Sequence, residues 1–201
     1  LAGHPEGHFC DASYTGPDLN RAKELLAEAG YPGGEGLPDI IYLTSISSNS
    51  AEQTEMLTRQ LSKIGIKLNS SLLDFAQLIE AINKKKAMMF SFAWGSDYPD
   101  GENNLALFYG PNEAPGANHY NYKNAEYDRL YEQILSMAPS PERTQIYERM
   151  RDMVLEDVPF IGGMARTRNY LSTPWIKNFK PTEDFWNWPK YIDVDNSARR
   201  N

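Results

Sequence analysis

Residues 87–104, AMMFSFAWGSDYPDGENN, constrain this chain more than any other stretch. The segment opens as an apolar run from Ala87 to Trp94, broken only by Ser91. Composition then switches to Gly, Asp and Pro over residues 95–101. A short apolar run of this kind reads as a strand buried on both faces. The Gly/Asp/Pro cluster marks where the strand must stop. A buried strand fixes its own end, so the loop leaving it can hold Trp94, Asp97 and Tyr98 at a sheet's edge. That edge reads as half of a ligand site.

The residues before this run alternate between helix and strand patterns. Pro17 opens a helix with Leu19, Ala22, Leu25, Leu26 and Ala29 at helical spacing, and Gly30 ends it. Residues 40–43 read as a strand, followed by the hydroxyl-rich segment 44–50. Ser50 and Gln53 have the spacing of a capping box for a helix carrying Leu57, Leu61 and Ile64. Ile66 and Leu68 alternate with Lys67 and Asn69, a strand with one buried face. Asp74 caps a helix with Phe75, Leu78, Ile79 and Ile82 on one side. Lys84, Lys85 and Lys86 then suit its C-terminal dipole as a solvated end.

Strand, helix, strand, helix, strand with short connections predicts parallel strands and right-handed crossovers. Ligands of such open sheets bind beyond the carboxyl ends of the strands. Three loops leave those ends: residues 44–50, residues 73–74 and residues 94–104. The fold class is α/β, an open and mainly parallel sheet flanked by helices.

The second half changes character. Residues 105–123 place Phe108, Tyr109, Tyr120 and Tyr122 among Gly, Pro and Asn, as in a long ordered loop. Asn124 caps a helix with Tyr127, Leu130, Tyr131, Ile134 and Leu135 on one face. Ser140 and Pro141 open another, with Ile146, Tyr147, Met150 and Val154 in register, ended by Val158 and Pro159. Residues 160–165 form a candidate strand. Residues 170–194, with Trp175, Trp186, Trp188 and Tyr191, read as extended pieces wrapping the sheet.

Composition excludes several classes. The chain has 201 residues and a formal net charge of -7, which argues against a nucleic-acid surface built from clustered cations. No apolar run approaches the roughly 18 residues needed to span a bilayer. The chain begins at Leu1 without a signal sequence, as expected for a processed chain or a piece of a longer one. The single cysteine, Cys10, cannot pair within the chain. His4, His8 and Cys10 lie among glycines near a terminus and lack a fourth ligand, so no metal site is expected there. No phosphate loop, dinucleotide fingerprint or hydrolase elbow occurs, so no cofactor and no catalytic residue is assigned.

Within the central loop, Asp100 and Glu102 read as turn-making residues. Asp97 reads as functional, because a carboxylate held beside Trp94 at a strand end suits an ammonium group. Two competing readings stand beside ligand capture. A hydrolase would use Asp97 and Asp100 as its carboxylate pair. A protein-interaction domain would use the long aromatic loop.

Five segments, in order, resemble one family: residues 17–31, PDLNRAKELLAEAGY; 61–68, LSKIGIKL; 94–100, WGSDYPD; 120–130, YNYKNAEYDRL; and 156–161, EDVPFI. Together they resemble the C-terminal part of the extracytoplasmic solute-binding proteins of ABC transporters, family 5, the dipeptide/oligopeptide group. The resemblance covers roughly residues 14–192. It implies a periplasmic binding protein-like (type II) fold in which two lobes close over a ligand. Residues 17–192 would be the second lobe, residues 1–16 an irregular lead-in and residues 193–201 a tail.

The resemblance also implies roles. Asp97 would pair with a peptide's α-ammonium group, Trp94 would line the pocket, and Thr44, Ser45 and Asn49 would add contacts; an oligosaccharide would instead stack on Trp94, Tyr98 and Trp186. Ser91 and Phe92 stand where peptide binders often place an arginine. Other members take sugars or nickel complexes, so these ligands remain open beside peptide. Expected partners are the ligand, the first lobe and the permease subunits, in a periplasmic or cell-surface lipoprotein setting.

Overall fold

The computed structural model of the chain describes residues 18–162, 169–181 and 188–200. These fall into two units: residues 18–93 with 112–121, and residues 94–111 with those from 122 onward.

In the first unit, helix α1 (Leu19–Glu28) starts at Asp18, whose carboxylate accepts the N–H groups of Asn20 and Arg21 at 3.0 and 2.9 Å. Pro17, expected to open it, lies outside the described residues. Gly30, at φ 91°, takes the left-handed conformation that terminates the helix. Three parallel strands follow, with β1 (Ile40–Ser45) between β2 (Leu68–Leu73) and β3 (Met89–Phe90). Helices α2 (Ser50–Ser62) and α3 (Phe75–Asn83) supply the crossovers. The α/β class and parallel sheet are as the sequence predicts.

The buried strand, however, is β1 and not the run at 87–94. Tyr42, Leu43 and Thr44 are consecutive and all buried, the pattern of a strand paired on both edges and covered on both faces. β3 pairs over two residues only, with one further bond from the Ser91 N–H to the Leu43 carbonyl at 3.0 Å. Among the described residues it is an edge strand, and Met88, Ser91, Ala93 and Trp94 are exposed. Phe90 and Phe92 still pack on the core formed by Leu43, Leu78 and Ile82.

Other boundaries also differ. β1 runs past Leu43 because Thr44 and Ser45 continue the ladder opposite Leu72 and Leu73. β2 begins at Leu68 rather than Ile66, and residues 69–72 are exposed, so it lacks the single buried face expected. The capping box at Ser50 does not form. Asn49 occupies the cap position of α2. The Ser50 hydroxyl instead donates to the Ser45 carbonyl at 2.6 Å. Asp74 caps α3 as expected, accepting the Gln77 N–H at 2.9 Å. Lys84–Lys86 are exposed, and Lys85 pairs with Glu113 at 2.7 Å. Residues 112–121 return to this unit, where Tyr120 stacks on Phe90 and His119 meets Phe92 edge-on.

The second unit is mainly helical: α4 (Glu102–Leu105), α5 (Ala125–Leu135) and α6 (Pro141–Asp157). Asn124 and Ser140 cap α5 and α6 through their side chains, as expected. Tyr127, Leu130, Tyr131 and Ile134 of α5 are buried, as are Tyr147, Met150 and Val154 of α6. Leu135, expected on the same face, is exposed because it falls a quarter-turn beyond Ile134. The loop expected over 105–123 contains short 3₁₀ turns at Ala106–Phe108 and Gly110–Asn112. Residues 160–162 form no strand, and 163–165 lie outside the described residues. β4 (Ile176–Lys177) pairs antiparallel with β5 (Asp193–Val194). Trp186 lies outside the described residues, as do His4, His8 and Cys10.

Ile82 is 2% exposed and Phe75 63% exposed on the same helix. Ile82→Ala should therefore cost about 2–5 kcal/mol of stability, and Phe75→Ala much less. Urea unfolding of the two variants checks this, and equal losses would contradict the placement of the core.

Candidate functional site

The loop after β3 belongs to the second unit from Trp94 onward, and its geometry is set by four polar side chains. Asp100 is the first. Its Oδ2 accepts the Arg143 guanidinium at 2.7 Å, and its Oδ1 accepts the Tyr147 hydroxyl at 2.7 Å. Its Oδ1 also takes the Glu102 N–H at 2.9 Å, which closes the turn. Arg143 is buried on α6, its Nε–H donates to the Ile134 carbonyl at 3.3 Å, and its guanidinium lies 5.0 Å from the Tyr147 ring centre. The loop is thereby tied to both long helices.

Glu102 is the second. It is buried, and its two carboxylate oxygens accept the hydroxyls of Tyr98 and Tyr131. Burial, then the neighbouring carboxylate, push the hydroxyls of Tyr98 and Tyr131 above the usual phenol range. Both stay protonated donors at neutral pH.

Asn103 and Asn104 are the third and fourth. The Asn103 Oδ1 accepts the Trp94 indole N–H and the Asp97 backbone N–H, both at 3.1 Å. The Asn104 Oδ1 accepts the Ser96 hydroxyl at 3.2 Å. The result is an exposed surface of defined shape. Trp94 and Tyr98 are 38% and 43% exposed, and Asp97 lies between them in sequence with an exposed side chain. Among the described residues, the Asp97 carboxylate has no hydrogen bond or ion pair. An exposed carboxylate on the same loop as two exposed aromatic side chains can take a cationic amine.

Thr44, Ser45 and Asn49 belong to the first unit. Thr44 lies within β1 and is buried, while Ser45 ends that strand. Asn49 is exposed at the N-terminus of α2. Thus Trp94, Asp97 and Tyr98 share one loop, and the other three cluster at the carboxyl end of β1.

Sequence reasoning favours turn-making for Asp100 and Glu102, gives Asp100 another role only in the hydrolase alternative, and assigns no site role to Asn103, Tyr131 or Arg143. One signal for Arg143 was available. It lies four residues before Tyr147 and so extends the Tyr147, Met150, Val154 stripe by one turn. A cation at the head of a buried stripe calls for a buried anion. Among the described residues, no group of acidic, histidine or cysteine side chains has metal-binding geometry. Among them, too, no helix is long and apolar enough to cross a membrane.

Residues 4–116 match the family described as bacterial extracellular solute-binding proteins, family 5 Middle. Heme-binding protein A of Haemophilus influenzae is 26% identical over 169 residues, 79% of this chain and 31% of that protein. Oligopeptide-binding protein AppA of Bacillus subtilis is 26% identical over 188 residues, 85% of this chain and 34% of that protein. A dipeptide-binding protein of a Pseudoalteromonas species, solved with Met-Leu, superposes with a TM-score of 0.61. It is 27% identical to this chain, over 71% of this chain and 29% of that one. The chain thus spans about a third of the length of these relatives.

Burial alone would raise the Asp100 carboxyl, but bonds from the Glu102 N–H, Arg143 and Tyr147 together hold it below its ordinary 3.8. A carboxyl depressed by folding stabilises the native state above its unfolded pKa, and that stability is lost as pH falls through the folded value. Wild type should therefore be more stable than Asp100→Asn at pH 7, and the gap should begin to narrow below about pH 4 and close as pH falls through the folded value. Urea midpoints across pH 2–7 check this; a gap independent of pH would contradict it.

Proposed function

Because the chain belongs to the bacterial extracellular solute-binding proteins, family 5, we propose that it forms a ligand-capturing wall of an ABC importer's receptor, with peptide as the ligand class. The observation that carries this reading is the loop fixed by Asn103, on which Trp94, Asp97 and Tyr98 are all exposed. A carboxylate offers an α-ammonium group an ion pair, and exposed aromatic rings of the same loop are suited to cation–π contact. The oligopeptide- and dipeptide-binding names of relatives support the same ligand class.

In this reading residues 17–192 act as one lobe, residues 193–201 as its tail, and the rest of the intact protein supplies the opposing wall. The partners are the peptide, the opposing lobe and the permease subunits, outside the cytoplasm. No cofactor and no catalytic step enters.

The hydrolase alternative is weakened by Asp100. A general acid must keep a proton near neutral pH, and this carboxyl is committed to Arg143 and Tyr147 and held ionised.

Asp97→Ala in the intact protein should weaken binding of the dipeptide Ala-Phe by about 2–4 kcal/mol, the usual loss when one member of a desolvated charge pair is removed. N-acetyl-Ala-Phe, which lacks the ammonium group, should lose little. Calorimetry with both ligands checks this, and unchanged Ala-Phe affinity in the variant would refute the assignment.

A further inference from the structure

We infer that Asn103 is the positioning residue of the ligand-facing loop, an inference that rests on the peptide-capture reading above. Asn103 is 6% exposed, and its Oδ1 receives two hydrogen bonds of 3.1 Å, one from the Trp94 indole and one from the Asp97 backbone. Both partners are donors with no acceptor capacity, so only the amide oxygen can face them. One buried atom therefore sets the aromatic wall and the backbone from which the Asp97 carboxylate projects.

The atom is itself held in place. Asn103 lies in α4, where Glu102 accepts the Tyr131 hydroxyl and the Leu105 carbonyl accepts the Tyr127 hydroxyl at 2.8 Å. Tyr127 and Tyr131 are buried residues of α5. Position is thus passed from α5 through α4 to Asn103, and from Asn103 to Trp94 and Asp97. Asn104 does the same for Ser96.

The chemical consequence is preorganisation. With Oδ1 removed, the indole N–H and the Asp97 N–H lose their shared partner, and the carboxylate samples more directions before ligand arrives. Ordering it again on binding costs affinity. That loss falls on ligands that use the carboxylate, those with a free α-amine.

The test uses the intact protein and three variants. Asn103→Leu keeps the side chain's size without its oxygen, Asn103→Asp keeps an acceptor, and Trp94→Phe removes one of the two donors. Without ligand, hydrogen exchange at the Asp97 amide should accelerate about tenfold or more in Asn103→Leu. The Trp94 indole N–H resonance should also move in that variant. Asn103→Asp should restore both signals, and Trp94→Phe should leave the Asp97 amide protected. With Ala-Phe, Asn103→Leu should lose roughly 5- to 20-fold in affinity in the wild-type background, and little when Asp97→Ala is already present. Unchanged exchange and an unmoved indole resonance in Asn103→Leu would overturn the inference. If that variant does not fold, a wild-type Asp97 amide exchanging as fast as that of Gly95 overturns it, and a protected one supports it. If the exchange results hold while Ala-Phe binds no form of the protein, the positioning role stands and the peptide reading falls.

Discussion

The ion pair between Asp100 and Arg143 is the constraint on which the candidate site depends. A guanidinium buried on α6 needs an anion, and Asp100 meets that need by bringing the turn after Pro99 against the helix. Tyr147, one helical turn further on, adds a second donor to the same carboxylate. Once Asp100 is seated, the Glu102 N–H closes on it and α4 begins. Glu102 is then placed to accept two tyrosine hydroxyls, and Asn103 to reach back to Trp94 and Asp97. Each step satisfies a polar group that burial would otherwise leave costly. The ring and carboxylate left facing solvent, Trp94 and Asp97, are those the proposed ligand would use.

The first unit rests on different physics. Its sheet is centred on β1, whose middle residues are buried and whose two neighbours run parallel. Leu43 meets Leu78 and Ile82 of α3, with Phe90 and Phe92 packed against them. Glycine matters at one place in particular. At Gly65, φ 88°, a Cβ would lie 1.9 Å from the Gly33 carbonyl oxygen, so the turn after α2 and the turn at residues 33–34 can touch only through bare backbone.

Much of this was legible in the residues, and what was not has identifiable reasons. The caps at Asp74, Asn124 and Ser140 are local events, decided by a side chain and an N–H two or three residues away, so spacing alone reveals them. The order of strands and helices follows from period and punctuation. Boundaries set by partners were not legible. Thr44 and Ser45 look like loop residues, yet they continue β1 because Leu72 and Leu73 lie opposite. The run at 87–94 looks like a central strand, yet among the described residues it finds a partner on one side only and pairs for two residues. Within the site, Asp97, Trp94 and Tyr98 stood out by residue type and place. The scaffold beneath them did not, since Arg143 is 43 residues from Asp100 and Tyr131 29 from Glu102. Periodicity carries no information about polar contacts at such range.

The central claim is that a loop held by buried polar bonds offers a fixed carboxylate to the free amine of a peptide. The most direct measurement is the identity of the molecule that the intact protein retains through purification, released by denaturation and read by mass spectrometry. The account predicts short peptides with unblocked N-termini. Recovery of a sugar or a metal chelate without a primary amine would contradict it.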